Sequence, residues 1–494
     1  MKNKVILNFV WRQIKDFFKG GPPALWRKVC ALPRWLLVNR YCLGTTLRIY
    51  KLITKLKPDF AEAQVLLAET LIELGHFDEA FAVWKKLFQL KPDWAQGHNR
   101  IQSAFYLCGQ FESAKAIMQK VLDMRNDFAR AHQLDNLGIR LLREYPSFIG
   151  HTGLLDFYVK MDILGQRSPA HPILLVSHRL ANPSYLDYWR RYLPDMISDP
   201  VAIGLLEPIT KYLEDYISAV KDSSGSQVYD PYSREVTIQE QWDAEGRGPL
   251  LTLTDADLKR GQECLQSLGV PADVWFVGLH VRGGREKARS ARNADIATYR
   301  MAIESIVARG GWVFRMGDPS MEPLPPMKHV IDYAHSEARR DWMDVFLWAR
   351  CSFFIGVQSG PLMIPPTFGV PCVATNWSSI GLRQWFTQDL YIYKLHWLEA
   401  EARYLKFSEV SSSALATTES GAYLASRGIK LVDNTPEEIN DVVVEMMDRL
   451  DGTIKYSKED EELKERFSRA SVSSSKNANT RAGRDFLRKW SYLI

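Results

Sequence analysis

Three predicted strands in the second half of the chain end in residues that could bind an anion or a hydroxyl group. The first, "VGLHVRGG" at 277–284, begins as an apolar run typical of a buried strand. The second and third lie in "FRMGDPS" and "FFIGVQSGP". Ligands bind at the carboxyl ends of strands in open α/β sheets. The candidate binding residues at these ends are therefore His280, Arg282, Gly283, Gly284, Asp318, Gln358, Ser359 and Gly360.

These residue types predict a site for a nucleoside diphosphate. The guanidinium of Arg282 offers a planar fork of donors that matches phosphate oxygens. Ser359-Gly360 precedes an apolar run that predicts a helix, whose first N–H groups would bind an anion. Asp318 is negative and suits a ribose or sugar hydroxyl. Each feature alone is weak, because a strand-end arginine is more often in a surface ion pair and Ser-Gly is more often a helix cap.

The elements that must position these residues alternate between strand and helix. Apolar runs predict strands in "LGIRLL", "PILLVS" and "PVAIGLL", and again in "VWFVGLHV", "GWVFRMG", "HVIDYA", "SFFIGV" and "PCVATN". Helices are predicted at 295–308, 341–350 and 436–449. Such alternation predicts two parallel sheets, each covered by helices, facing each other across a cleft. The domains are placed at 144–265 on the acceptor side and 266–452 on the donor side, with a tail at 453–494.

A repeat with a period of 34 residues precedes these domains. Phe60-Ala61, Trp94-Ala95 and Phe128-Ala129 recur at that spacing, and "GHFDEA" is echoed by "GQFESA". The pattern resembles the tetratricopeptide repeat. The first unit matches it at Leu67, Ala68, Leu71, Gly75, Phe77, Ala80, Trp84 and Pro92. A helical scaffold is predicted at 41–143, with a closing helix at 129–143, and it could bind a protein partner.

The amino-terminal segment is strongly basic. Residues 1–57 hold thirteen Lys or Arg and one acid, a charge of +12, whereas the whole chain carries +5. Interleaved aromatic, aliphatic and basic residues over 1–40 predict an amphipathic segment on an anionic membrane surface. The alternative is that these aromatics pack as a cap on the next domain. No apolar run approaches the ~20 residues that a spanning helix needs, and no signal peptide is apparent.

The spacing of the cysteines bears on compartment and metal binding. The six cysteines are scattered without a C-x-x-C pair, which favours a reducing compartment and disfavours a zinc site. Asp255-Ala-Asp257 resembles the metal motif of some transferases, but a preceding Thr before a helical run favours N-capping. No metal and no resident cofactor are expected. No G-x-G-x-x-G follows a predicted strand, which disfavours NAD-dependent chemistry.

The segment from about 275 to 375 resembles the inverting fucosyltransferases. "GLHVRGG" is similar to their H-x-R-x-G-D motif, and "DWMDVFLWARCSFFIGVQSGP" to their helix–strand–serine segment. The chain also resembles bacterial glycosyltransferases in which tetratricopeptide-like helices precede "IGHTGLLDFYVKM" and such a domain. The resemblance implies a GT-B-like pair of Rossmann-type domains and an inverting, metal-independent reaction, with Arg282 on the diphosphate leaving group. The family's aspartate is replaced by Gly284-Arg285, so fucose is not implied.

A glycosyltransferase also needs a general base for the acceptor hydroxyl. His151, flanked by glycines in "SFIGHTGLLDF", is the first candidate, and His178, Glu286 and Asp318 remain open. The expected reaction uses a nucleotide sugar, GDP-linked being one expectation, and a lipid-linked saccharide acceptor of a surface glycan such as O-antigen or capsule. The expected location is cytoplasmic and peripheral on the inner membrane face, with no nucleic-acid partner.

Three alternatives stay open at this point. A nucleotide-sugar 2-epimerase would share the cleft and the diphosphate site but would leave the helical scaffold without a role. A protein O-glycosyltransferase would use the repeats to hold polypeptide, although two units offer little surface for that. An adaptor with an inactive transferase domain is the non-enzymatic alternative, because a fold does not establish a function.

Overall fold

A computed structural model describes most of the chain beyond the basic segment. The prediction for 1–40 lies outside the described residues, as do Gly75, His178, Gly284 and Glu286. The described ranges are 43–74, 76–90, 111–143, 145–167, 169–176, 179–213, 219–221, 227–229, 234–283, 291–380, 388–416, 418, 421–471 and 480–494. Within these ranges, no helix is both long and apolar enough to cross a membrane.

Helices and strands alternate through the larger part of the described chain. The α-helices are α1 Leu43–Leu56, α2 Ala61–Glu73, α3 Phe77–Leu90, α4 Phe111–Ala131, α5 Ile149–Gly153, α6 Leu155–Ile163, α7 Pro183–Trp189, α8 Pro200–Leu213, α9 Arg234–Ala244, α10 Asp255–Ser267, α11 Arg300–Ala308, α12 Asp341–Arg350, α13 Phe407–Ser411, α14 Gly421–Ser426, α15 Pro436–Leu450, α16 Lys458–Ala470 and α17 Arg484–Lys489. The strands are β1 Ile139–Leu142, β2 His171–Leu175, β3 Met196–Ile197, β4 Ala219–Lys221, β5 Gln227–Tyr229, β6 Phe276–His280, β7 Trp312–Arg315, β8 Val330–Ile331, β9 Phe353–Gly356, β10 Cys372–Trp377, β11 Leu390–Tyr393, β12 Leu395–Leu398, β13 Arg403–Tyr404, β14 Ile429–Val432 and β15 Arg481–Ala482.

One compact unit is helical and contains the described residues up to Val121 together with those of 420–428. Helices α1, α2 and α3 pack in sequence, and α14 packs on α2. Small residues such as Ala63 and Ala80 let the helices approach, and Trp84 fills the core at 1% exposure. The buried core comprises Ile49, Tyr50, Ile53, Ala61, Ala63, Val65, Leu66, Leu67, Ala68, Leu71, Ala80, Trp84 and Leu87. The helix pair predicted for the first repeat is therefore confirmed, while residues 91–110 of the second lie outside the described ranges.

The closing helix predicted at 129–143 is wrong. Helix α4 ends at Ala131, and Gln133 adopts a left-handed conformation (φ 55°). The Leu134 N–H then donates to the Ala129 carbonyl at 2.8 Å, which closes the helix terminus. Residues 139–142 form strand β1 instead.

The second compact unit begins with a three-stranded parallel sheet in the order β1-β2-β3. Leu141, Leu175 and Leu213 form its buried core with helix α8. The strand predicted in "PVAIGLL" is wrong, because these residues begin α8. Asp199 accepts the backbone N–H groups of Val201 (3.1 Å) and Ala202 (3.3 Å), and proline follows it at the first helical position.

A seven-stranded sheet forms the centre of this unit, in the order β15-β11-β10-β9-β6-β7-β8. All its pairings are parallel. The five strands predicted here from apolar runs are confirmed as β6 to β10. Strand β15 pairs with β11 through Leu390 and Arg481, so residues 480–494, placed in a tail by the sequence, contribute the edge of the sheet.

Asp389 lies at the amino end of β11 and provides a test of this core. Its Oδ1 accepts the Cys372 N–H at 2.8 Å, while Oδ2 is buried and has no partner among the described residues. Burial raises the pKa of Asp389 to about 8. The folded state therefore keeps a proton that the unfolded chain loses near pH 4.

Stability from this proton is fully present below pH 4 and is lost as pH rises towards 8, by up to about 1.4 kcal/mol per pH unit. We expect Asp389→Asn to remove this component, so that its thermal midpoint changes less than that of the wild type between pH 5.5 and pH 7.5. Calorimetry at both pH values measures it, with the exposed Asp187→Asn as the matched control. Parallel pH profiles for wild type and Asp389→Asn would contradict the prediction.

Candidate functional site

His280 ends β6, an interior strand of the large sheet. Strand β6 lies between β7 and β9, all five of its residues are buried, and His280 pairs in register with Gly356. His280 is buried, with an exposed fraction of 7%, whereas Arg282, two residues later, is partly exposed. The Ala294 N–H donates to the Arg282 carbonyl at 3.0 Å. The chain thus delivers the arginine to the carboxyl edge of the sheet, as predicted.

A side-chain hydrogen bond joins the ends of β6 and β9. The hydroxyl of Ser359 lies 3.1 Å from His280 Nδ1 and 3.1 Å from the Val357 carbonyl oxygen. A hydroxyl has one proton to donate. When Ser359 donates to the Val357 carbonyl, His280 must carry its proton on Nδ1 and donate it to the serine. Whichever of the two side chains donates, the hydrogen bond ties the end of β6 to the end of β9.

Gln358 joins the ends of β9 and β10 in a similar way. Its Oε1 accepts the N–H of Ser378 at 3.2 Å and the hydroxyl of Ser378 at 2.8 Å. Gln358 is buried at 6% exposure. Gln358, predicted from the sequence to bind a ligand, therefore joins the ends of two strands. The sequence interpretation missed Ser378, although the serines that follow the apolar run "PCVATNW" carried the same signal as Ser359.

The helix predicted after Ser359 is wrong. Two four-residue 3-10 helices, Gly360–Met363 and Pro365–Phe368, occupy this stretch. Pro361, Pro365 and Pro366 carry no N–H and cannot build an α-helical ladder. The N–H groups of Ser359 and Gly360 remain as backbone donors before the first proline, without the dipole of a full α-helix behind them.

Asp318 follows strand β7 and shapes a turn. Its Oδ1 accepts the backbone N–H of Ser320 at 2.9 Å and also the Ser320 hydroxyl. Gly317 has a φ of 150°, and a Cβ there would meet the Met321 sulfur at 2.3 Å. Asp318 therefore lies at the same edge as Arg282, with one carboxylate oxygen committed to the turn.

The first sheet brings His151 to this edge through a contact between two glycines. Helix α5 follows β1 and packs on the 3-10 helix after Ser359. A Cβ on Gly150 would lie 2.9 Å from the Gly360 Cα, and one on Gly360 would lie 2.8 Å from the Gly150 nitrogen. His151 is exposed, and its ring lies 5.3 Å from that of Phe148. The carboxyl edges of the two sheets thus meet, with His151 on one side and the Ser359 turn on the other.

The Asp255-Ala-Asp257 triplet is a helix start, as the N-capping interpretation predicted. The Thr254 hydroxyl accepts the Asp257 N–H at 3.1 Å, and Asp257 Oδ2 accepts the Thr254 hydroxyl at 2.7 Å. Tyr188 also donates to Asp257. Among the described residues, no group of three or more His, Cys, Asp and Glu side chains could hold a metal ion.

A cavity of about 200 Å³ lies at the opposite, amino edge of the large sheet. Pro371 and Asp389, which precede β10 and β11, line it together with Lys160 and Trp242 from α6 and α9. Its position places it away from the strand ends that carry Arg282 and Ser359. The edge where the two sheets meet is therefore the candidate site on chemical grounds.

Comparison with known proteins finds similarity to solved structures only. No family model matches the chain, and no curated protein matches its sequence. A glycosyl transferase of family 9 from Veillonella parvula is 10% identical over 63% of this chain and 97% of its own, with a TM-score of 0.37. The iron-containing dodecameric glycosyltransferase TibC of Escherichia coli is 14% identical over 51% and 62%, with a TM-score of 0.29.

An O-GlcNAc transferase of Thermobaculum terrenum is 12% identical over 100% of this chain and 98% of its own, with a TM-score of 0.25. Scores this low carry no argument about activity. The fold class rests on the topology itself: parallel α/β sheets whose carboxyl edges meet, following a repeat-like helical segment in the chain. The predicted GT-B-like architecture is confirmed in that form.

The glycine contact gives the second prediction. We expect Gly150→Ala to lower the thermal midpoint by the equivalent of roughly 1–3 kcal/mol, because the new methyl group overpacks against backbone that cannot rotate away. Gly204→Ala is the control, since nothing lies within 4 Å of a Cβ at that helical position. Calorimetry of both variants measures the difference. A Gly150→Ala midpoint equal to that of the control would mean that the two edges do not pack as described.

Proposed function

We propose that the protein is a glycosyltransferase that moves a sugar from a nucleoside-diphosphate donor to a saccharide acceptor. The observation that carries the proposal is the meeting of two carboxyl edges at Gly150 and Gly360. It brings the exposed His151, in the helix that follows β1, to the same edge as the strand-end Arg282 and the Ser359 turn. A donor and an acceptor bound on opposite walls of one cleft need that arrangement.

The donor wall, formed by the residues that follow strands β6, β7 and β9, stabilises the charge of the leaving group. Breaking the bond between the sugar and the diphosphate leaves negative charge on the departing phosphate. We assign the guanidinium of Arg282 and the N–H groups of Ser359 and Gly360 as the donors that stabilise this charge. His280, hydrogen-bonded to Ser359, holds the turn that presents them. Asp318 lies at the same edge, and we assign its carboxylate to a hydroxyl of the ribose or sugar.

The acceptor wall, formed by the residues that follow the strands of the first sheet, supplies the general base for the acceptor hydroxyl. His151 takes the proton of the acceptor hydroxyl as its oxygen attacks the anomeric carbon from the face opposite the diphosphate. The new glycosidic bond forms as the bond to the diphosphate breaks, so the anomeric configuration inverts. A single displacement of this kind needs a base and a leaving-group site on opposite sides of the sugar, and we assign these roles to His151 and Arg282. Base catalysis typically contributes 10²–10⁴-fold to the rate.

Nucleotide binding tests the donor wall. A ligand at 100 times its Kd adds about 2.7 kcal/mol of stability. We expect one nucleoside diphosphate in a panel of GDP, UDP, ADP and CDP to raise the thermal midpoint of the wild type, and Arg282→Ala to lose most of that shift. Arg300→Ala is the control, because Arg300 is 75% exposed in a surface pair with Glu304. Absence of any shift across diphosphates and their sugar conjugates would contradict the proposal and favour the adaptor.

The acceptor that we propose is a lipid-linked saccharide of a surface glycan, reached from the cytoplasmic face of the membrane. The +12 charge of residues 1–57 supports this, because each basic residue adds roughly 1 kcal/mol of attraction to an anionic surface. We expect the full chain to sediment with vesicles containing phosphatidylglycerol, and a chain lacking residues 1–40 to bind them at least tenfold more weakly. Equal binding by both would contradict the anchoring proposal. Phosphatidylcholine vesicles are the control.

A further inference from the structure

Phe148 is an exposed aromatic residue at the mouth of the candidate site. It follows β1 and immediately precedes α5, so it lies at the carboxyl edge of the first sheet. Its exposed fraction is 55%, unusually high for a phenylalanine whose neighbours Tyr145 and Thr152 are buried. Its ring packs edge-on against His151 at 5.3 Å between centroids. An apolar ring of this size beside the proposed base is available to a ligand.

Arg179 lies against the same ring. Its guanidinium carbon is 5.7 Å from the Phe148 centroid, and the residue is exposed. It follows strand β2, which is parallel to β1, so both residues come from the carboxyl edge of one sheet. A cation at an aromatic face is held by the ring quadrupole. The pair therefore presents an apolar surface and a positive charge side by side.

We propose that Phe148 and Arg179 form the acceptor subsite and that it binds a sugar carrying a phosphate. The apolar C–H face of a pyranose ring packs on the exposed phenyl ring, which removes apolar surface from water. The phosphate accepts hydrogen bonds from the guanidinium, whose donors match its oxygens. With the sugar on Phe148, one of its hydroxyl groups reaches His151. This inference rests on the proposed function and names the acceptor class for it.

Sugar binding tests the subsite directly. The probes are N-acetylglucosamine 1-phosphate, methyl N-acetylglucosaminide and citronellyl-diphosphate-linked N-acetylglucosamine, titrated by saturation-transfer NMR. Every protein carries Arg282→Ala, so that phosphate binding on the donor wall does not contribute. We expect Phe148→Ala to weaken all three probes at least fivefold and Phe148→Tyr to restore them. Arg179→Gln should remove the preference for the phosphorylated probe over the methyl glycoside.

Leu137→Ala is the matched control, since Leu137 is 52% exposed but precedes β1 at the opposite edge.

Tighter binding of the citronellyl probe than of the sugar phosphate identifies a lipid-linked acceptor, and equal binding identifies a free sugar phosphate. Both results support the subsite. Equal affinities for the Arg282→Ala protein with and without Phe148→Ala, or no binding of any probe, overturn it. The nucleotide thermal shift of Phe148→Ala with Arg282 intact separates the two proposals. A normal shift with unchanged sugar binding overturns the subsite alone.

Discussion

The arrangement of the candidate site depends on two polypeptide backbones that touch. At Gly150 and Gly360 the chains of the two sheets approach so closely that neither residue has room for a methyl group. Gly153 repeats the contact one turn later, where a Cβ would lie 3.0 Å from the carbonyl oxygen of Met363. A backbone contact of this kind has no side-chain rotamers to adjust, so it fixes the separation of the two walls within narrow limits.

Polar side chains hold the donor wall rigid behind that contact. Tyr299 shares its hydroxyl with Thr375 at 2.6 Å and with the Asn376 amide at 3.1 Å. Asn376 and Asn434 exchange backbone-to-side-chain hydrogen bonds at 2.6 and 2.8 Å. Burial raises the pKa of Tyr299 to about 12, so it stays a neutral donor. Because buried polar groups are costly unless satisfied, such a network favours one arrangement of strand ends.

The sequence predicted the large sheet better than its surroundings. Strands β6 to β10 are continuous apolar runs because both faces of the sheet are buried, and that signal is local. Strand β15 has two residues, and its pairing with β11 is decided by tertiary contacts that no local pattern records. The apolar content of "PVAIGLL" predicted a strand, but the cap at Asp199 and the proline after it begin a helix there.

Part of the site was also predictable from the sequence, because it depends on local strand signals. Arg282 and Ser359 follow strands whose ends are readable from sequence, so their shared edge could be inferred. The meeting of Gly150 with Gly360 could not, because it joins segments far apart in the chain. The prolines after Ser359 were visible, and giving them their usual weight as helix breakers would have corrected the helix prediction. Phe148 and Arg179 carried no signal in the sequence beyond their types.

The edge strand β15 has a consequence for how the protein is made. A ribosome has synthesised β6 to β11 well before it reaches Arg481, whose buried guanidinium pairs with Glu461 at 2.6 Å. Until then β11 is an unpaired edge, and open edges invite pairing with other chains. Helix α17 arrives later still, where Lys489 and the Trp490 indole both donate to buried Glu438 at 2.8 Å. The nascent donor wall therefore stays incomplete, and exposed to aggregation, until translation has passed residue 490.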